Sequence, residues 1–156
     1  GESCCLAIEE NRQGVYVDVV EGPDGMLKIM QRIGKRAPLY CTGVGKIFLL
    51  NDDAASLEQY IAENGLEPLT SHTITTREGL LSELEIGRQG YALDDEECEQ
   101  GARCVAAGVR DYTGKVVAGI SVSGPLHRME PEHIRRIIPQ VQRTAQRLSQ
   151  LLAYEE

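Results

Sequence analysis

Positive charge is scarce in this 156-residue chain: 16 Lys and Arg stand against 24 Asp and Glu, a formal net charge of −8. DNA affinity rests largely on Lys and Arg displacing counterions, so the segment is not expected to grip a phosphate backbone itself. A CxxC pair is also missing. The five cysteines, Cys4, Cys5, Cys41, Cys98 and Cys104, are odd in number, which suggests neither a disulfide framework nor a zinc ribbon; reduced cytoplasmic thiols are the simpler reading. The apolar stretches fall far short of the roughly 18 residues a membrane helix needs, and the N-terminus lacks the basic-then-apolar order of a signal peptide. Internal repeats, low-complexity segments and linkers are absent too. What remains is a single intracellular domain over residues 1–156, large enough at 42% apolar composition to close one core. Because a strand-like run starts almost at once, the chain is expected to be a portion of something longer.

The run "CCLAIEE", then "NRQG", then "VYVDVVE" predicts a hairpin, with a Gly ending the connection. "MLKIMQRI" predicts a third strand, and "RAPLYCT" is extended as far as Thr42. "GVGKIFLLN" then predicts a short helix with Thr42 as N-cap. Two more helices are expected at "DAASLEQYIAENG" and "TTREGLLSELEIGRQG", each opened by a capping residue and closed by Gly. Strands return with "YALDD", "GARCVAAGVRD" and "KVVAGISVSG", the last two joined by the turn "DYTG". From Pro131, the pattern Ile134, Ile137, Ile138, Val141, Ala145, Leu148, Leu151, Leu152 marks a long amphipathic helix, with Pro139 expected to bend it. The fold class is α+β, helices packed on an antiparallel sheet.

Parity singles out one surface. With Arg110 opposite Lys115, Cys104 faces Ser121 and Ala102 faces Ser123. One face of the hairpin carries Val105, Ala107 and Val109 beside Val116, Ala118, Ile120 and Val122, an ordinary core. The other carries Ala102, Cys104, Ala106 and Gly108 beside Val117, Gly119, Ser121 and Ser123, nearly all small. Either a closely packed helix or a small ligand can fill such a floor. Buried hydroxyls need partners, and two of them two residues apart suit an anionic or carbonyl group. Asp94, at the end of "YALDD", reads as a solvated strand end, but if that strand pairs beside 102–110 one carboxylate of Asp94 and Asp95 must turn inward as an acceptor; Glu96, Glu97 and Glu99 are expected on the surface.

"CTGVGK" at 41–46 fails as a phosphate-binding loop, since Tyr40 stands where the first Gly belongs and Ile47 where Ser or Thr is required. It leaves a glycine-flanked helix start, either a plain Thr cap with a tight approach or a place for one carboxylate. Thiol catalysis through Cys104 or Cys98, oriented by Asp94, would need a base, and no motif ties His72, His127 or His133 to the strand face. No HxxxH or CxxC spacing supports a metal, and no cofactor is expected.

"APLYCTGVGKIFLL", followed some fifty residues on by "GYALDDEECEQGARCVAAGVRDYTGKVVAGISVSGP", resembles the C-terminal effector-binding domain of the IclR (isocitrate lyase regulator) family of bacterial transcription factors. The likeness covers nearly the whole chain and includes "VYVDVVEGPDGMLKIMQRIGKRAPLY" and the final helix. It implies a GAF-like fold, a curved antiparallel sheet with helices on its faces, and a pocket for a small organic acid. It further implies that the backbone amides of Gly43 and Val44 hold the acid's carboxylate and that Asp94, Cys104, Ser121 and Ser123 complete the polar set. Met30 and Leu93 are expected among the apolar wall. The resemblance also implies dimers or tetramers, and DNA contact only through an N-terminal winged helix-turn-helix that these residues do not match.

Overall fold

The structure, a computed structural model, describes residues 2–22 and 31–155. The predicted strand at 26–33 lies largely outside the described residues, as does the wall candidate Met30; Gln31 to Gly34 form no strand.

Six strands form one curled antiparallel sheet in the order β3-β2-β1-β6-β5-β4. They are β1 (Ser3–Glu10), β2 (Gln13–Val20), β3 (Arg36–Pro38), β4 (Ala92–Asp95), β5 (Ala102–Arg110) and β6 (Val116–Pro125). Helices α1 (Gly43–Leu49), α2 (Ala54–Asn64) and α3 (Arg77–Gly87) are inserted between β3 and β4, and α4 (Pro131–Leu151) closes the chain. Thr42, Asp53 and Thr76 cap α1, α2 and α3 through their side chains. Beyond Pro38 the predicted extension to Thr42 gives way to a turn that delivers α1.

The β1–β2 connection is tighter than its glycine suggests. Asn11 and Arg12 both have positive φ, 52° and 61°, as a two-residue type I′ turn requires, and Gly14 already belongs to β2. Arg12 is held in this conformation by Asp52 and Glu9 and lies 5.0 Å from the centre of the Tyr60 ring.

β5 and β6 pair two residues away from the expected register: Cys104 faces Ser123 and Ala106 faces Ser121. The cause is an irregularity beside Arg110 and Val116, where Asn51 accepts from Val116 N at 2.9 Å and donates to Val116 O at 2.8 Å. A shift of two preserves which face each side chain takes, so Cys104, Ser121 and Ser123 still share one side. Val116 alone changes sides, packing with the α1 cluster instead of Val105, Ala107 and Val109.

α4 covers the other face of β5 and β6 with Ile134, Ile137, Ile138, Val141, Ala145 and Leu148. Ser149 fixes its end, accepting from Arg110 N at 2.8 Å and donating to Ala145 O at 2.8 Å. Pro139 sits within an unbroken helix, and the expected apolar stripe stops short: Leu151 and Leu152 are exposed.

Candidate functional site

Every residue of α1 is buried, because glycines let the helix lie close on the small-residue face. A β-carbon on Gly108 would stand 2.8 Å from Ile47 Cγ2, and one on Gly119 3.2 Å from Val44. Gly43 approaches the Ala106 side chain equally closely, its own added β-carbon falling 3.0 Å away. One end of the predicted floor is therefore filled by a helix.

The other end is hollow. A cavity of about 70 Å³ is lined by Gly43, Val44, Asp94, Cys104, Ser121 and Ser123, so all six predicted positions meet there. Thr42 Oγ1 takes the amide of Gly45 at 3.2 Å and Thr42 O that of Lys46 at 3.0 Å. The amides of Gly43 and Val44, first in the helix, have no acceptor among the described residues. Ser121 is 1% exposed and its hydroxyl has no hydrogen-bond partner among the described residues. An orphaned buried hydroxyl costs about 1–3 kcal/mol, so this one calls for an explanation.

Ser123 is better supplied. Its hydroxyl meets Cys104 Sγ and accepts from Gln31 Nε2 at 3.2 Å, while Gln31 Oε1 accepts from Cys5 Sγ. Asp94 is buried, and one of its oxygens is occupied structurally: Oδ1 accepts from Glu97 N at 2.8 Å and Cys98 N at 3.3 Å, tying the loop after β4. Burial pushes its carboxyl up to about 6. Burial likewise raises the Cys104 thiol far above its ordinary range. Cys98, also lining the cavity, is shifted the other way by the thiol of Cys41 donating to it.

Two expectations fail. Leu93 is no wall residue: its strand partner is Val105, and it packs on the α4 side. Glu97 is not on the surface but 5% exposed, joined at 2.7 Å to Lys46 Nζ, itself fully buried. Lys46 Nζ also reaches Glu83 and Leu93 O, each at 2.8 Å, so the lysine of "TGVGK" anchors α1 to β4 and to the loop that follows Asp94. Burial holds the Glu97 carboxyl up at about 7 against the pull of that ammonium.

Sequence reasoning missed Gln31, Tyr16 and Lys35, which also line the cavity. Tyr16 was accessible to parity, being opposite Ala7 on the buried face of β1; Gln31 and Lys35 lie in an irregular segment with no period to read. None of the three histidines lines this cavity. Among the described residues no three His, Cys, Asp or Glu converge as metal ligands, and no helix is long and apolar enough to cross a membrane.

A roomier groove of about 470 Å³ lies on the opposite face, between α4 and strands β1 and β6. Ser121 borders both spaces because a strand's backbone is open on two sides. Its hydroxyl belongs to the α1 side, since its partners Cys5 and Ala106 both pack there. The smaller cavity therefore holds the unpaired polar groups.

The family described as bacterial transcriptional regulator IclR C-terminal matches residues 1–150. The chain belongs to the IclR family. It is 36% identical over 131 residues to the HTH-type transcriptional regulator KdgR of Escherichia coli, a match covering 83% of this chain and 50% of that protein. The Thermotoga maritima IclR crystal structure superposes with a TM-score of 0.91 at 35% identity, covering 99% of this chain and 62% of that one. The inducer-binding domain of Acinetobacter PobR, a double mutant in complex with 3-hydroxybenzoic acid, gives 0.86 at 27% identity over 96% of this chain and 87% of that one. This IclR-type domain spans 43% to 61% of the lengths of the curated relatives it matches. The α+β class and curved antiparallel sheet are as the sequence implied.

Proposed function

We propose that this domain senses a small organic acid and, through an N-terminal winged helix-turn-helix of the full-length regulator, alters its hold on DNA. The observation that carries this reading is the buried, unpartnered hydroxyl of Ser121 in a cavity that also borders the free amides of Gly43 and Val44. The acid's carboxylate would accept from those amides and from Ser121 and Ser123, while Asp94 would accept from a hydroxyl or hydrated carbonyl of the same molecule. Cys104 forms the floor. The lining sets Lys35, Arg36 and Arg103 against Asp94 and Glu99, an excess of positive charge that favours an anionic visitor.

Relatives named as HTH-type regulators support the regulatory half of the proposal, and the PobR domain with its bound benzoic acid supports a carboxylic acid as ligand. An α-keto or sugar acid, such as a keto-deoxy-gluconate, combines the carboxylate with the carbonyl or hydroxyl that Asp94 needs. The domain is non-catalytic on this reading, because burial and the neighbouring Asp94 carboxyl hold Cys104 protonated and none of the three histidines lines the cavity. It acts in the cytoplasm as a homodimer or homotetramer. The acid shifts the arrangement of DNA-binding modules only by its difference in affinity for two arrangements.

Thermal unfolding of this chain against a panel of keto, sugar and aromatic acids tests the proposal. A ligand at a hundred times its Kd should stabilise the fold by about 2.7 kcal/mol. A panel in which no carboxylic acid moves the melting temperature overturns it.

A further inference from the structure

The cavity is already occupied in part by the protein's own side chain. Gln31 reaches in and spans two strands, its carboxamide nitrogen on Ser123 and its oxygen on Cys5, while Ser121, the direct strand partner of Cys5, stays unpaired. A carboxamide has nearly the size and planar shape of a carboxylate. It is neutral and carries an NH2 donor in place of one of the carboxylate's two acceptor oxygens, and the Ser123 hydroxyl can turn to suit either.

We propose that Gln31 is an internal occupant that takes the Ser123 hydroxyl the ligand would use and must leave before an acid can enter, an inference that rests on the effector reading above. The remaining space, about 70 Å³, holds little more than a few atoms beside this side chain, well under the roughly 300 Å³ at which ligand pockets usually begin. Gln31 can withdraw without unpicking the sheet, because residues 31–35, ahead of β3, lie outside any strand. That segment is pinned beyond it: Gly34 N donates to Tyr16 O at 2.7 Å and Tyr16 N to Lys35 O at 3.1 Å. Gln31 thus sets a threshold for binding. An acid must bring more hydrogen bonds than the two it breaks, which discriminates against acids that offer a carboxylate alone.

The test compares this chain with Gln31→Ala and Gln31→Glu, each first checked for an unchanged circular dichroism spectrum. Without added acid, iodoacetamide labelling of Cys104, read by mass spectrometry of its peptide, should run about tenfold faster in Gln31→Ala, the factor that about one net hydrogen bond represents. Pyruvate, the smallest α-keto acid, should bind Gln31→Ala about five- to tenfold more tightly than the parent by calorimetry. It should bind Gln31→Glu more weakly, since that variant places a second carboxylate in the hollow. Unchanged Cys104 labelling overturns the inference, and so does weaker pyruvate binding in Gln31→Ala, which would make Gln31 a direct ligand contact. Fast labelling in Gln31→Ala, with neither pyruvate nor keto-deoxy-gluconate binding any of the three proteins, upholds the internal occupant and removes the organic-acid reading instead.

Discussion

The α1-facing side of the β5–β6 hairpin uses small residues in two ways. Near the Asp111–Gly114 turn, Gly108 admits Ile47 so closely that a methyl group would displace it, Gly119 takes Val44 almost as closely, and the contact is entirely hydrocarbon. Farther along, Cys104, Ser121 and Ser123 continue the same pattern of small side chains, but α1 has ended, and its first amides look over a hollow instead of a packed surface. Small residues on a sheet face therefore do not by themselves specify a ligand. What separates the two ends is polarity left unpaired: among the described residues of this face, the hydroxyl and amides without partners lie at the end where α1 begins.

The largest expected effect comes from the residue that couples these ends. Lys46→Ala should cost about 3–5 kcal/mol in urea unfolding at alkaline pH, because it takes away the ammonium that pairs with the ionised, buried Glu97. The loss should shrink on acidification, as Glu97 takes up a proton; a pH-independent loss would mean that packing, not charge, binds α1 to the Asp94 loop. At the filled end, Gly108→Leu should cost about 3 kcal/mol by driving Ile47 from the sheet. If that variant is as stable as its parent, the two ends do not differ in the way described.

A smaller effect follows from pH alone. Asp94 and Glu97 are held up at about 6 and about 7, so the folded protein binds their protons more tightly than the unfolded chain does. The stability they contribute is full below their ordinary carboxylate range and is lost as pH rises through about 6 and then about 7. Asp94→Asn should flatten the lower part of that decline. Cys104→Ser should matter least, preserving acid binding within a few-fold, since the thiol only floors the hollow; its abolition of a turnover activity would instead reveal a thiol enzyme.

Much of this was legible because period and parity are robust to small errors. α4 followed from its stripe, and the polar face survived a register error of two because side-chain direction repeats every second residue. Val116 was misplaced because Asn51, 65 residues away, stabilises the irregularity that turns it over. Glu97 read as surface because an acidic run gives no sign of a buried lysine 51 residues earlier. Asp94 was found, but its hold on the amides of Glu97 and Cys98 was not, since such a loop is set by local geometry without a repeating pattern.

Thermal unfolding of Ser121→Ala, with and without the acid that gives the largest shift in the panel, bears most directly on the claim that the hollow awaits a ligand. Removing an unpaired buried hydroxyl should raise the stability of the acid-free protein by about 1 kcal/mol while most of the acid-induced shift disappears. An acid-free protein that loses stability, with the response to acid intact, would contradict it.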